Sequence, residues 1–114
     1  MAYKALVAAS TKPLVLAILS HGNSYGYQII RNVESLTSGE LQWSDAMLYP
    51  VLHRMESDGL IQSNWVVLES GRKRKYYAIT DKGREERETS KKQWTNVHAA
   101  LSLLWNSRGE LQLG

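Results

Sequence analysis

Between residues 44 and 81 the chain stops and restarts regular structure four times with no linker, and this limits its fold more than any other feature. Ser44 and Asp45 mark a helix start. A serine hydroxyl accepts a hydrogen bond from an unpaired first-turn N–H, and a carboxylate there complements the positive end of the helix dipole. Leu48, Leu52 and Met55 then recur at i, i+4 and i+7, which predicts one buried stripe. Asp58-Gly59 stops the helix, glycine being suited to the left-handed position after a last turn. The run "LIQSNWVVL" reads as a strand, "ESG" as a turn and "KYYAIT" as a second strand. The two strands form a hairpin whose tip carries four consecutive cations, Arg72, Lys73, Arg74 and Lys75. Thr80-Asp81 then caps a long helix running to about Trp105.

Upstream, the pattern is helical. Ser10-Thr11 before Pro13 reads as a capped helix start over residues 12 to 20, preceded by a shorter helical piece around Tyr3 to Ala9. "HGNS" is turn chemistry, and Ile29, Ile30, Val33 and Leu36 predict a second helix over about residues 25 to 36. Leu41 and Trp43 suggest a very short strand or extended piece. Pro50 lies beyond the first turn of the third helix, where it deletes a backbone donor, so a distorted or 3₁₀-like start is expected. The expected class is α+β, mostly α: a winged helix-turn-helix over residues 1–80 with a two-stranded wing, a long C-terminal dimerisation helix over 81–107, and a flexible tail over 108–114.

Several function classes fall away. There are no cysteines, which removes disulfides, thiolate metal sites and cysteine nucleophiles and fits a reducing cytosol. His21, His53 and His98 sit on three separate elements, none with a partner at metal-ligand spacing, so neither metal nor cofactor is expected. No serine lies in a nucleophile elbow and no glycine-rich phosphate loop exists. Glu85, Glu86 and Glu88 interleave with Arg84, Arg87 and Lys91 as a charged solvent face rather than a catalytic pair. Leu14 to Leu19 is too short an apolar run to cross a bilayer, which points to a buried helix in a cytoplasmic protein. An enzyme is therefore not expected. The net charge of +3 understates the local field of four cations clustered on one hairpin.

In a winged helix-turn-helix the third helix enters the major groove of double-stranded DNA and the wing touches the backbone or minor groove. The residues expected on the exposed face of the third helix are Ser44, Asp45, Met47, Tyr49, His53, Arg54 and Ser57. Arg54, Tyr49 and Ser44 can hydrogen-bond phosphate oxygens, but the first turns lack Asn, Gln or Lys, so much of the specificity would come from shape and the wing. Tyr77, alternating with Ile79, is expected in the core, as are Trp43 and Trp65. On the last helix, Val97, Leu101, Leu104 and Trp105 read as the seam of a homodimer, joined by Trp94.

Three segments, "LVLAILSHGNSYGYQII", "MLYPVLHRMESDGLI" and "GRKRKYYAITDKG", resemble in order and spacing the signatures of the PadR family of bacterial transcriptional regulators, over roughly residues 11 to 105. The "LYP" of the third helix is a feature of that family and accounts for Pro50. The resemblance implies a homodimeric repressor that binds a near-palindromic operator. Most of the dimer interface would come from the C-terminal helix, with Leu6 and Val7 of the first helix beside it. By matching position it implies DNA contacts from Tyr49 and Arg54, with His53 and Ser44 on the same helix. Tyr25 and Tyr27 would lie near phosphates, and Arg72 to Lys75 would form the wing, buttressed by Tyr76. In multidrug-binding relatives a tryptophan at the place of Trp94 lines a pore between subunits and stacks on flat, hydrophobic ligands. An effector, where there is one, would be of that kind. The chain departs from the pattern at Met47, where threonine is usual and could offer a hydroxyl to phosphate. Asn23 replaces a common proline and Gln28 a common acid. The rival reading is a winged-helix module for protein–protein contacts that does not bind DNA.

Overall fold

The structure is a computed structural model and describes residues 4–107. The chain runs α1 (Lys4–Leu19), β1 (Ser24–Tyr25), α2 (Gly26–Leu36), α3 (Asp45–Ser57), β2 (Ile61–Val67), β3 (Lys73–Ile79) and α4 (Asp81–Trp105). The expected winged helix, mostly helical with a small antiparallel sheet, is present. Tyr3 and the 108–114 tail lie outside the described residues.

The boundaries of α3 follow from its capping groups. Ser44 Oγ accepts from the Met47 N–H at 3.2 Å. At the other end Gly59 takes φ 79°. Its N–H bonds the Glu56 carbonyl and the Leu60 N–H bonds that of Met55, the paired bonds of a left-handed cap. Met55 and Leu60 are both buried, so the cap is sealed by an apolar contact as the chain turns into β2. At the hairpin, Gly71 at φ 88° follows a turn in which its N–H bonds Leu68 O and the Leu68 N–H bonds Arg72 O, each at 2.8 Å. This is the three-residue loop with a glycine bulge.

Four local expectations need correction, and a fifth narrows to one of its alternatives. The first helix is not two pieces: α1 is continuous through Pro13. Ser10 and Thr11 do not cap it, because both hydroxyls bond back to the Val7 carbonyl, at 3.1 and 2.6 Å, as helix-interior hydroxyls do. Pro50 does not give a 3₁₀ start: α3 is α-helical from Asp45. Residues 41–44 form no strand; they are irregular, with Ser44 in extended backbone, which leaves the extended piece of the two alternatives. The strand that does exist in that half of the chain is β1, whose Ser24 and Tyr25 pair with Tyr77 and Tyr76, making a three-stranded sheet in the order β1-β3-β2. Two residues are too few for a periodic signal. Lastly, Trp65 is not core but 64% exposed.

The core gathers Val15, Leu16, Leu19, Ile29, Val33, Leu48, Leu52 and Tyr77 from three helices and β3, with Trp43 closing it. The Trp43 indole N–H is buried without an acceptor. The first part of α4 packs on α1, where Lys12 Nζ meets Glu86 Oε2 at 3.1 Å. Beyond Ser90 every α4 residue but Ser102 is exposed, and the helix stretches the molecule to 63 × 30 × 21 Å.

Candidate nucleic-acid interface

The solvent-facing stripe of α3 consists of Ala46, Pro50, His53 and Ser57, flanked by Ser44, Asp45 and Arg54. Met47 and Tyr49, expected there, are half-buried and pack against the core. The shift of Tyr49 has a local cause. A Cβ on Gly26 would overlap the Tyr49 phenol, so the glycine of "YGY" is the notch into which the Tyr49 ring fits. Burial, and then the nearby Asp45 carboxylate, pushes the Tyr49 hydroxyl above its ordinary pKa. Burial also raises that of Tyr77, helped by Tyr49 and Glu56. Both phenols therefore stay protonated near neutral pH and remain available as donors. Ala46 and Pro50 escaped the sequence reading because neither looks like a reader of anything, yet small apolar side chains suit the methyl group of thymine.

The wing is held at a defined angle to α3. Glu56 Oε2, in the last turns of α3, accepts from both the N–H (3.1 Å) and the Oγ (2.7 Å) of Ser63 in β2. The register Ile61↔Ile79 to Val67↔Lys73 then fixes which side chains share a face. Only Arg72 lies in the turn; Lys73, Arg74 and Lys75 run along β3. Because side chains alternate across a strand, the four cations divide between the two faces of the wing. On one face Arg74 stacks over the Tyr25 ring at 4.0 Å, and Tyr25 meets Tyr76 edge-on at 5.3 Å. That stack joins the wing to the start of α2, where Arg31 donates to the Tyr27 hydroxyl at 2.8 Å. Tyr25, Arg74 and Tyr76 thus form one stack at the N-terminus of α2, with Tyr27 in the first turn of that helix, whose unpaired N–H groups favour anions. Gln28 in place of an acid still has a structural use, accepting from Ser24 Oγ at 2.7 Å.

The expected interface residues on α4 are together but unpartnered within one chain. Trp94, Val97, Leu101 and Leu104 follow a 3-4-3 spacing, the heptad seam of a two-helix contact, and all are exposed to some degree. Leu6 is exposed on α1, whereas Val7 is partly buried against the core. Trp94 borders an open groove of about 740 Å³ between α1 and α4, lined also by Pro13, Leu14, Ala17, Ser90 and Lys91. Among the described residues no cluster of three or more His, Asp or Glu could hold a metal. No helix among them is long and apolar enough to cross a membrane.

Comparison with known proteins agrees with this geometry. Residues 15–89, from the middle of α1 into α4, match the family model described as the transcriptional regulator PadR-like family. The crystal structure of a PadR-like transcriptional regulator from Bacillus cereus is similar, with a TM-score of 0.81 and 30% identity, over 92% of this chain and 100% of that one. An uncharacterized protein of Lysinibacillus sphaericus is 30% identical over 90 residues, 79% of this chain and 83% of its own. The transcriptional regulator YqjI of Escherichia coli is 31% identical over 80 residues, and the match spans 70% of this chain but 37% of YqjI.

Proposed function

Because the chain belongs to the PadR-like family of transcriptional regulators, and is a DNA-binding regulator on that ground, we propose that it acts as a homodimeric repressor on a pseudo-palindromic operator. The observation that carries the reading is a pair of surfaces tied to each other: the exposed stripe of α3, and a wing with four cations linked to α3 through Glu56 and Ser63. The two surfaces have separate roles. Arg54, His53 and Ser44 hydrogen-bond the DNA backbone from α3, and Ala46 and Pro50 face the bases. The wing cations, with Tyr25, Tyr27 and Tyr76, hold phosphates and supply affinity with little sequence content. Tyr49 sets the position of α3, its phenol hydroxyl packed against Gly26.

The partner of α4 is a second copy of the chain. A half-helix of this length is not stable alone in water, and its heptad seam needs an equivalent surface to bury. Trp94 belongs to that seam. One chain forms only an open groove around it, so a flat hydrophobic effector would need the dimer to complete its site. Such an effector would act by favouring one arrangement of the two wings over another.

Selection of binding sites from a random duplex library tests the reading. Inverted repeats should be enriched, with half-site centres about one helical turn, roughly 10 base pairs, apart. Recovery of no repeat and no DNA retention above background would leave the protein-interaction module as the better account.

A further inference from the structure

The wing carries an aromatic residue that neither the core nor the dimer seam uses. Trp65 lies in the middle of β2, 64% exposed, and Val67, two residues on, is 66% exposed. Large apolar side chains on a solvated hairpin are costly to leave in water and mark contact surfaces when they cluster. The register places Trp65 opposite Lys75 and Val67 opposite Lys73. By strand alternation these four share the face of the wing on which Ser63 is tied to α3. The half-buried Lys75 ammonium sits 5.9 Å from the Trp65 ring and 5.6 Å from the Tyr77 ring, close to two aromatic faces. The face therefore alternates apolar and cationic positions. Between Leu60 and Thr80 the only acidic residue is Glu69, in the turn, and the α3 acid that reaches this face, Glu56, is bonded to Ser63.

We propose that Trp65 is a DNA-contacting residue: its indole packs on the apolar deoxyribose surface where the wing crosses the backbone, while Lys75 and Lys73 hold the adjoining phosphates. The inference rests on the DNA-binding reading above and adds a contact to it. The charge of the face selects the occupant. A protein partner for Trp65 and Val67 would have to supply acids at the same two intervals, whereas a nucleic-acid backbone alternates sugar and phosphate along its whole length. The contact is sequence-poor, because every nucleotide presents the same sugar, and it is largely independent of salt, because an apolar contact releases no counterions.

That last property gives the test. Wild type, Trp65→Ala, Trp65→Phe and Lys75→Ala are titrated with a short mixed-sequence duplex by fluorescence anisotropy across a range of salt. Trp65→Ala should bind about tenfold more weakly at every salt concentration with an unchanged salt slope, while Trp65→Phe stays within about threefold of wild type. Lys75→Ala should instead make the slope shallower by about 1 for each protomer on the duplex, roughly 2 for the dimer. Intrinsic fluorescence of the wild type should change on adding duplex, and the Trp65→Phe chain should lose that change. Circular dichroism and sedimentation of the variants should match wild type. Trp65→Ala binding like wild type overturns the inference and leaves DNA binding intact, and so does a Trp65→Ala chain that changes its oligomeric state instead. Failure of the wild type to bind any duplex overturns both.

Discussion

Replacing Gly83 by alanine should destabilise the domain by about 2–4 kcal/mol, although alanine is the better helix former by about 1 kcal/mol. Gly83 is in the first turn of α4, where its N–H caps onto Thr80 Oγ1 at 3.0 Å. A Cβ there would overlap the Leu60 carbonyl oxygen and come within 2.8 Å of Ile79 Cγ1. Neither neighbour can yield cheaply. The Leu60 carbonyl accepts the Thr80 N–H at 3.0 Å, and Ile79 is buried against the core. The start of α4 would have to lift away, breaking the Leu60–Thr80 bond and displacing the helix from α1. For a domain of this size the loss corresponds to a fall in melting temperature of roughly 10–25 °C, read by circular dichroism. A melting temperature within about 3 °C of wild type would show that α4 does not dock as described.

The double substitution Leu101→Glu with Leu104→Glu should leave each chain folded and separate the dimer. Neither side chain belongs to the domain core, and both are exposed in the single chain. The substitutions change neither the core nor the wing. In the proposed dimer each leucine is worth about 1.5–3 kcal/mol of burial, and each glutamate would place an uncompensated charge in the seam. Losing two per chain weakens association at least about a hundredfold. Sedimentation should show a monomer at micromolar concentration with an unshifted far-ultraviolet spectrum. Affinity for an inverted-repeat site should fall towards that for a single half-site. A variant that still sediments as a dimer would place the interface elsewhere.

Much of this architecture is readable in the residues, and the gaps have physical causes. The α3 caps, the hairpin and the start of α4 are legible because each rests on a local signal: Ser44 on Met47, Gly59 after Asp58, Gly71 in the turn, Thr80 on Gly83. The misjudged features are those decided by distant partners. Ser10 and Thr11 resemble a cap until the continuous α1 satisfies their hydroxyls internally. The strand at Ser24–Tyr25 exists only because β3 offers it an edge. Trp65 resembles a core residue by composition, but on its face of β2 its ring neighbours Lys75 rather than the core, and it stays 64% exposed. Tyr49 resembles an exposed contact residue until the notch at Gly26 is known. The basic run is correctly assigned to the wing, but only the sheet register shows that its charges divide between two faces.

The most direct test of the central claim is the salt dependence of duplex binding by the wild type and by a chain with Arg72, Lys73, Arg74 and Lys75 all changed to alanine. Wild-type affinity should fall linearly on a log–log scale as salt rises. In a dimer eight wing cations are available. If half of them each give up one phosphate, at about 0.9 per contact, the variant's slope should be shallower by roughly 3–4, with affinity reduced about a hundredfold or more at low salt. Equal slopes for the two chains, or no salt-dependent binding by the wild type, would contradict the account.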